Sequence, residues 1–532
     1  MLQILDCTLR DGGYYNNWRF QDTLVKNYLR SMEACSIDYV ELGFRFNTKD
    51  SSIGSFGTTS EEFLGSLYLP SGLKYAVMIN AKEFMLSSFK ETSDLVNKLF
   101  VSSADSKISL VRVAINFDDA LKVKPILKEL KKLGYEIGLN LMQSNGKEDA
   151  VYKDIASKIL EWNLVDILYF ADSLGNMEPE DVKKIANILK EHWKGKTGFH
   201  SHNNKGYALI NSITAIKEGV DFCDCTLTGM GRGAGNVTTE SLLMELVNLE
   251  LIHSRLTLLQ GSVTDFLELK RDFGWGTNMH YQFAANNNIH PTFVQTLLDD
   301  ARYDQFQSFK ILESLSKQKD SSHFSQESLK KNIYIENEEK EGSWNPKGFL
   351  KNEEVILIGG GPSVKKYKKK ILGHLEESNL EVIFLNINYF LPHELAVATV
   401  VSHEIRAFLD APFYESLNHP LIMPMKSLGK LIKEQIGNVE IYDYGLNIKE
   451  GAFEIGSKTA TLDNSLAAAY GLAVCTQAGA KKINLIGFDG YQKNDVRFQE
   501  MSEVIERYSK LPNAAKLYSL TPTLFEIEET LL

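Results

Sequence analysis

Between Gln3 and Leu227 the sequence repeats one pattern: a short run rich in apolar and β-branched residues, then an amphipathic stretch. The runs fall at Gln3–Thr8, Tyr39–Phe44, Lys74–Asn80, Leu110–Asn116, Glu136–Leu141, Ile167–Ala171, Gly198–His202 and Phe222–Leu227. Stretches such as Phe20–Cys35, Ala120–Leu133, Glu178–His192 and Tyr207–Lys217 separate them. Roughly eight strands, each followed by a helix, within about 250 residues is the pattern of a (β/α)8 barrel. The competing architecture is a doubly wound open sheet. The polar residues decide between the two. Arg10 and Asp11, Glu41, Asn80, Asn140 and Gln143, Asp172, His200 and His202, and Asn236 sit at or just past predicted strand ends. In a barrel those ends converge on one mouth, where active sites lie. In an open sheet they would be spread along an edge.

Two of these segments suit one metal site. Phe199-His200-Ser201-His202-Asn203-Asn204 places two imidazoles on one face of a strand, because side chains alternate with period 2. Asp11, in Leu9-Arg10-Asp11-Gly12-Gly13, completes a set of two histidines and one carboxylate with open coordination positions. The chemistry suggested is metal-assisted activation of a carbonyl acid, with Arg10 placed to hold an anion. Neighbours on one strand point apart, so Arg10 is expected to pair across to Glu41 rather than with Asp11. Asp172 reads either as a ligand-binding residue or as a helix N-cap. Asn236 closes the glycine-rich run Gly229-Met230-Gly231-Arg232-Gly233-Ala234-Gly235, which is either a phosphate nest or a loop that delivers an amide oxygen to the metal. Cys223 and Cys225 share a strand face but lack partners for zinc, so core packing is expected.

At 532 residues the chain is too long for one core. Charged residues make up 24% and hydrophobic ones 43%, ordinary for a soluble globular protein. A net charge of −11 disfavours a general nucleic-acid binder. No apolar run is long enough to span a bilayer, and Met1-Leu2-Gln3-Ile4 enters strand-like sequence without a signal-type segment. The five cysteines show no C-x-x-C spacing, and their odd number argues against a disulfide framework. A cytoplasmic location is expected.

Four segments follow from the pattern. Residues 1–260 form the barrel, 261–316 a helical extension packed on it, 317–351 a polar linker, and 352–532 a Rossmann-like α/β domain. The last opens with Glu354-Val355-Ile356-Leu357-Ile358-Gly359-Gly360-Gly361-Pro362-Ser363, a buried strand running into a glycine-rich turn. Gly359, Gly360, Gly361 and Ser363 are candidates to hold the phosphate of a nucleotide or nucleotide-sugar, because backbone amides at a helix start favour an anion. The run matches neither the dinucleotide fingerprint nor the lysine-containing P-loop.

The barrel motifs Thr8-Leu9-Arg10-Asp11-Gly12, Val40-Glu41-Leu42-Gly43, Ala171-Asp172-Ser173-Leu174-Gly175, His200-Ser201-His202-Asn203 and Gly231-Arg232-Gly233-Ala234-Gly235-Asn236 resemble the signature of the DRE-TIM metallolyases. That superfamily includes hydroxymethylglutaryl-CoA lyase, isopropylmalate and homocitrate synthases, and 4-hydroxy-2-oxovalerate aldolase. The spacing looks closer to the aldolase branch. The resemblance implies a divalent metal (Mn²⁺ or Mg²⁺, with Co²⁺ and Zn²⁺ as alternatives) held by Asp11, His200, His202 and Asn236. It implies that Arg10 stabilises an enolate and Glu41 orients Arg10, with Asp172 and Asn140 toward the substrate. The substrates implied are a 2-oxo acid such as pyruvate and an aldehyde, and the enzyme is expected to be a homo-oligomer. One departure stands out. The related aldolases carry a histidine soon after the Arg-Asp-Gly run, where this chain reads Gly13-Tyr14-Tyr15-Asn16. Tyr14, Tyr15 or Tyr281, or else a metal-bound water, is the expected replacement as proton carrier. In the second domain, Ile358–Ser363 and Ile486-Gly487-Phe488-Asp489-Gly490-Tyr491 are similar to Rossmann-like domains of bacterial sialyltransferases and flagellin-glycosylation proteins. That similarity implies sugar or surface-glycan metabolism. It also raises the alternative of a nucleotide-binding, glycosyltransferase-like protein whose barrel is a non-catalytic scaffold.

Overall fold

The computed structural model describes residues 2–300, 303, 305–318, 320–333, 341–428, 436–492 and 495–532. It divides into two compact units, one of residues 1–297 and 312–325 and one of residues 298–311 and 326–532. The first is a closed parallel barrel of β1 (Gln3–Asp6), β2 (Tyr39–Phe44), β3 (Lys74–Asn80), β4 (Ile108–Asn116), β5 (Glu136–Met142), β6 (Ile167–Asp172), β7 (Lys196–Ser201) and β8 (Phe222–Cys225), in that order around the ring.

Strand parity explains why this sequence closes into a barrel. In β4, Val111, Val113 and Ile115 join the large core formed with the surrounding helices, whereas Leu110 belongs to the small cluster inside the ring. Arg112 and then Ala114 and Asn116 continue the inward row toward the mouth. The same alternation runs through β3, where Val77 and Ile79 face the helices and Met78 and Asn80 line the mouth. In β6 and β8, Leu168, Phe170, Cys223 and Cys225 belong to the outer core, and Ile167, Tyr169 and Phe222 to the inner one. The cysteine pair is thus core packing. Gly138 and Gly198 make room inside the ring: a Cβ on Gly198 would stand 2.4 Å from the Tyr169 ring and one on Gly138 3.1 Å from Arg112 Cγ. Arg112 lies over Tyr169 with its guanidinium carbon 4.2 Å from the ring centroid, so the barrel floor carries a buried cation on an aromatic face.

The N-terminal strand is shorter than its sequence pattern predicts. The Asp6 carboxylate accepts hydrogen bonds from the Thr8 backbone N–H at 2.9 Å and the Thr8 hydroxyl at 2.5 Å, which turns the chain into a helix at Thr8–Asn16. Tyr28 Oη and Thr239 Oγ1 donate to the same carboxylate, at 2.5 and 2.6 Å. Arg10 and Asp11 therefore stand on the first turns of a helix above the barrel, not on β1.

The helices at Gln260–Phe273 and Met279–Asn286 belong to the first unit, and Leu259, Phe266 and Trp275 are part of the barrel's own core. Within the expected linker, Gln326–Ile333 is helical, and residues 334–340 lie outside the described residues.

The second unit is a doubly wound α/β sheet. Its strands are β9 (Glu354–Ile358), β10 (Glu381–Leu385), β11 (Ala398–Val400), β12 (Leu421–Met423) and β13 (Ile441–Asp443). A small sheet follows, of β14 (Gly445–Ile448), β15 (Phe453–Ile455) and β16 (Thr459–Leu462), and then β17 (Lys482–Ile486), β18 (Lys516–Ser519) and β19 (Glu528–Glu529). The main sheet has the order β13-β12-β11-β10-β9-β17-β18-β19 with parallel pairing throughout. The chain builds outward from β9 on one side and returns to β17 on the other, which makes a topological switch point between them. The Ala467–Ala478 helix is buried almost along its length and packs on the sheet, where Gly471 lets Leu385 approach: a Cβ there would stand 2.5 Å from Leu385 Cδ2.

Candidate active site

The mouth of the barrel holds a cavity of about 400 Å³, lined by residues from the ends of most strands. Arg10 and Asp11 reach it from the helix after β1, His200 from β7 and His202 from just beyond it, Asn80, Asn116 and Asn140 from β3, β4 and β5, and Gln143 from just beyond β5.

The two histidines and Asp11 converge. His200 Nε2 is 3.5 Å from Asp11 Oδ2, and His202 Nε2 is 4.0 Å from the same oxygen. The other ring nitrogen of each is held from behind. His200 Nδ1 meets Asp224 Oδ2 at 2.8 Å, and His202 Nδ1 meets the Asp172 carbonyl at 2.9 Å. A carbonyl only accepts, so His202 Nδ1 carries the hydrogen. Burial, together with the neighbouring His200, drives the His202 pKa down to about 3, so the ring is neutral and Nε2 presents a lone pair. Burial alone would raise the Asp11 carboxyl, but Arg10 and the two histidines more than offset this and hold it well below the usual carboxylate range. A lone pair and a carboxylate oxygen facing each other at 4.0 Å have no proton to share.

That arrangement fits a divalent cation. Nitrogen and carboxylate donors bind at about 2.1 Å, so two of them on one cation stand roughly 3 to 3.5 Å apart. Backing of the distal imidazole nitrogens by a carboxylate and a carbonyl is the usual support of metal-binding histidines. Asn236 adds to the fit. Its Nδ2 donates to Asp11 Oδ2 at 2.5 Å, while its Oδ1 is buried without a hydrogen-bond partner among the described residues. Cys7 Sγ also lies within 4.8 Å of Asp11 and His200 donor atoms. Burial pushes that thiol well up, and it faces the Cys225 carbonyl at 3.5 Å, so it behaves as a packed neutral thiol rather than a fourth donor.

A buried charge network supports this centre. Arg10 Nε donates to Glu41 Oε2 at 2.7 Å, as the sequence predicts. Arg10 Nη1 also pairs with Asp11 Oδ1 at 2.8 Å, contrary to the expectation for strand neighbours, because the helical backbone turns the two side chains toward each other. Arg112 bridges the same Glu41 oxygen at 3.0 Å, Asn140 Oδ1 at 3.3 Å and the Asp224 carboxylate. Glu41 and Arg112 are fully buried. Two guanidinium groups face the three carboxylates of Asp11, Glu41 and Asp224. Burial alone would lower the His200 pKa, but Asp11 and Asp224 more than offset this and raise it, so the remaining negative charge in this dry interior is offset by a proton on His200 or by a bound cation.

Other predicted residues are placed as follows. Tyr14 lines the cavity, and Arg232 stands over its ring with Cζ 5.7 Å from the centroid. Burial raises the Tyr14 phenol, which therefore keeps its proton. Tyr15 turns away: its hydroxyl donates to the Gly233 carbonyl at 2.6 Å. Tyr281 is buried behind Gly233 and is not among the residues lining the cavity. Nor is Asp172. Its carboxylate accepts from the backbone N–H groups of Asn176, at 2.9 Å, and Met177, shaping the loop whose carbonyl holds His202. Sequence reasoning missed Arg112, Asp224, Lys82, Arg232 as a cavity residue, His290 and His323. Arg232 Nη2 meets His290 Nε2 at 2.8 Å, and burial next to Arg232 keeps His290 neutral, with a pKa of about 3.

In the second unit, the Gly359–Gly361 turn lies at the switch point, but the donors of Gly359, Gly361 and Ser363 are engaged. Ser363 gives its N–H to Asp489 Oδ1 at 2.9 Å and its hydroxyl to Asp489 Oδ2 at 2.7 Å. The Gly359 and Gly361 N–H groups bond to the carbonyls of Ile486 and Gly487. A Cβ on Gly361 would strike Asp489 Oδ2, whereas Gly360 faces open space.

A parallel barrel with two histidines, a carboxylate and a fixed guanidinium at its mouth is the arrangement of a metal-dependent lyase. The comparisons agree. The HMGL-like family model matches residues 1–264. The chain is 30% identical over 253 residues to the 4-hydroxy-2-oxovalerate aldolase of Carboxydothermus hydrogenoformans, covering 47% of this chain and 71% of that one. It is 28% identical over 246 residues to the oxaloacetate decarboxylase of Mycobacterium tuberculosis, covering 46% of this chain and 69% of that one. Among solved structures, the N-terminal domain of a candidate aldolase from Bacteroides vulgatus is 34% identical with a TM-score of 0.50, covering 58% of this chain and 99% of that one. The chain belongs to the HMGL-like family and is an enzyme of its aldolase and carbon–carbon lyase class. Its matched region spans about two thirds of the length of the curated relatives. Among the described residues, no helix is long and apolar enough to cross a membrane.

Proposed function

We propose that the barrel makes or breaks a carbon–carbon bond between the enolate of a pyruvate-like 2-oxo acid and an aldehyde, with Mn²⁺ or Mg²⁺ at Asp11, His200, His202 and Asn236. The observation that carries this reading is the convergence of two imidazole nitrogens on Asp11, beside a buried guanidinium opening on the same cavity. The cation would supply Lewis acidity toward the keto oxygen of the substrate.

The residues then have distinct tasks. Glu41 and Asp11 fix two edges of the Arg10 guanidinium, leaving Nη2 without a protein partner among the described residues. That nitrogen is the donor for negative charge developing on the enolate oxygen, preorganised in a site that costs little reorganisation. Arg112 holds Glu41 and Asp224 in place and so positions both Arg10 and His200. Tyr14 keeps its proton and is the group we assign to protonate the aldehyde oxygen in the bond-forming direction. A scaffold barrel that had lost turnover would gain nothing from burying five charged side chains, whose desolvation is costly. The test is a screen of 2-oxo acids against aldehydes with metal-supplemented protein, read by mass spectrometry. Absence of both product and deuterium exchange into the pyruvate methyl group, across all metals, would refute the reading.

A further inference from the structure

The far side of the cavity has its own chemistry. The metal donors and Arg10 come from β7, the loop after β8 and the helix after β1, which adjoin in the closed ring. Across the ring, β3, β4 and β5 each bring an amide to the mouth: Asn80, Asn116, and Asn140 with Gln143. Asn116 has no side-chain hydrogen-bond partner among the described residues. The others are half used. Asn80 Oδ1 accepts from the Lys82 N–H at 3.2 Å, Asn140 Oδ1 from Arg112 Nε at 3.3 Å, and Gln143 Nε2 donates to the Ser322 carbonyl at 2.9 Å. Each retains the opposite end of its amide. Gln143 also sits at φ 54°, in the left-handed region that a non-glycine residue rarely occupies. Lys82 lines the rim of this half and has no ion pair within 4.0 Å among the described residues.

An alkyl aldehyde would leave these amides unsatisfied once it expelled solvent, at a cost per group. A cavity of about 400 Å³ is also large for a three-carbon acid and a two-carbon aldehyde, since pockets of this size hold drug-sized ligands. Resting on the aldol reading above, we infer that the acceptor is a hydroxylated aldehyde whose hydroxyls bond to the amides of Asn80, Asn116, Asn140 and Gln143 and whose remote end carries an anionic group, carboxylate or phosphate, against Lys82. The bond forms between the methyl carbon of the 2-oxo acid and the aldehyde carbon. One C–H bond breaks and its proton balance is closed by the new hydroxyl, so no oxidant or reductant is required.

The experiment compares kcat/KM for propionaldehyde, D-glyceraldehyde, D-glyceraldehyde 3-phosphate and D-glucuronate with pyruvate as donor, beside deuterium exchange into pyruvate alone. The expected order places the hydroxylated aldehyde above the alkyl one, and an anionic one above both, by about 10- to 100-fold for the charge-assisted contact. The phosphate and carboxylate arms identify which anion the rim takes. Lys82→Gln should shrink the ratio of anionic to neutral hydroxylated aldehyde by a similar factor, and Asn116→Leu should shrink the ratio of D-glyceraldehyde to propionaldehyde. Because both are ratios, a general loss of folded enzyme does not imitate them. Pyruvate exchange with equal use of all four aldehydes, or with ratios unmoved by both substitutions, would overturn this inference alone. Absence of exchange would overturn the aldol reading and this inference with it.

Discussion

Replacement of Arg10 by Lys separates the enolate chemistry from the metal. In the native site the guanidinium is held by Glu41 Oε2 at 2.7 Å on Nε and by Asp11 Oδ1 at 2.8 Å on Nη1. An ammonium has no planar fork and cannot meet both carboxylates while also presenting a donor to the cavity. The charge survives, so Asp11 stays ionised and metal content should stay near native. The preorganised donor is lost. Removal of one such donor costs about 10²- to 10³-fold in rate, equivalent to about 3–4 kcal/mol of transition-state stabilisation. Loss of one buried hydrogen bond to a charged group should also lower stability by about 1.5–3 kcal/mol. The assay is deuterium incorporation into the methyl group of pyruvate, which reads enolisation without the aldehyde. Elemental analysis and a melting curve on the same preparation exclude loss of metal or fold as the cause. Exchange at the native rate in a folded, metal-replete Arg10→Lys protein would remove Arg10 from the mechanism.

Other perturbations probe the surrounding network. His200→Ala and His202→Ala should each lower bound metal measured by elemental analysis; native content in both would refute the donor set. Asp224→Asn leaves the shape behind His200 but removes its carboxylate, so Mn²⁺ affinity measured by calorimetry should fall about 10- to 100-fold, and an unchanged affinity would deny Asp224 that role. Tyr14→Phe should slow the aldol step by about 10²- to 10⁴-fold with a much smaller effect on pyruvate exchange, and equal losses in both would show that Tyr14 acts earlier. Burial raises the Asp172 pKa from 3.8 to about 7, only partly offset by the Asn176 and Met177 N–H groups. The folded state therefore holds this proton more tightly than the unfolded chain, and its stabilising effect is full below pH 3.8 and lost as pH rises through about 7. Asp172→Asn should accordingly flatten the fall in melting temperature between pH 5 and pH 8; an identical fall in both proteins would contradict this account.

Much of the barrel was legible because inward and outward residues on each strand differ in kind, and eight such strands with intervening helices permit few architectures. The convergence of Asp11, His200 and His202 was legible because its signals are local: His-x-His is a two-residue signal, and Asp11 lies in a short polar break near the N-terminus. What could not be read locally was the support. Arg112 lies in Val111-Arg112-Val113 and Asp224 in Cys223-Asp224-Cys225, each a charge inside an apolar strand. The signal was present, since a charged residue at an inward barrel position has to find a partner. The partners, Glu41 and His200, are 71 and 24 residues away. His290 and His323 offered no pattern, because they reach the mouth from segments beyond the repeating units. The register of Asp11 failed for a different reason. Leu5 to Thr8 alternates like a strand, but the Asp6 carboxylate competes for the Thr8 N–H and starts a helix in its place.

The glycine-rich turn of the second unit shows the same limit from the other side. Strand, turn and helix stand where the sequence puts them, and the helix start does face an anion. That anion is Asp489, 126 residues further along, and it uses both the N–H and the hydroxyl of Ser363. A phosphate approaching this turn meets a carboxylate already on the donors it needs, and the two repel. The helix it would cap is only five residues long, so its end adds little compensating field. Binding of a cytidine or uridine nucleotide by the full chain thus depends on displacing Asp489. Asp489→Asn, which removes the charge and keeps the size, should tighten such binding by about tenfold or more in calorimetry. Tight binding to the native protein that Asp489→Asn leaves unchanged would show that the nucleotide sits elsewhere or that the carboxylate is part of its site.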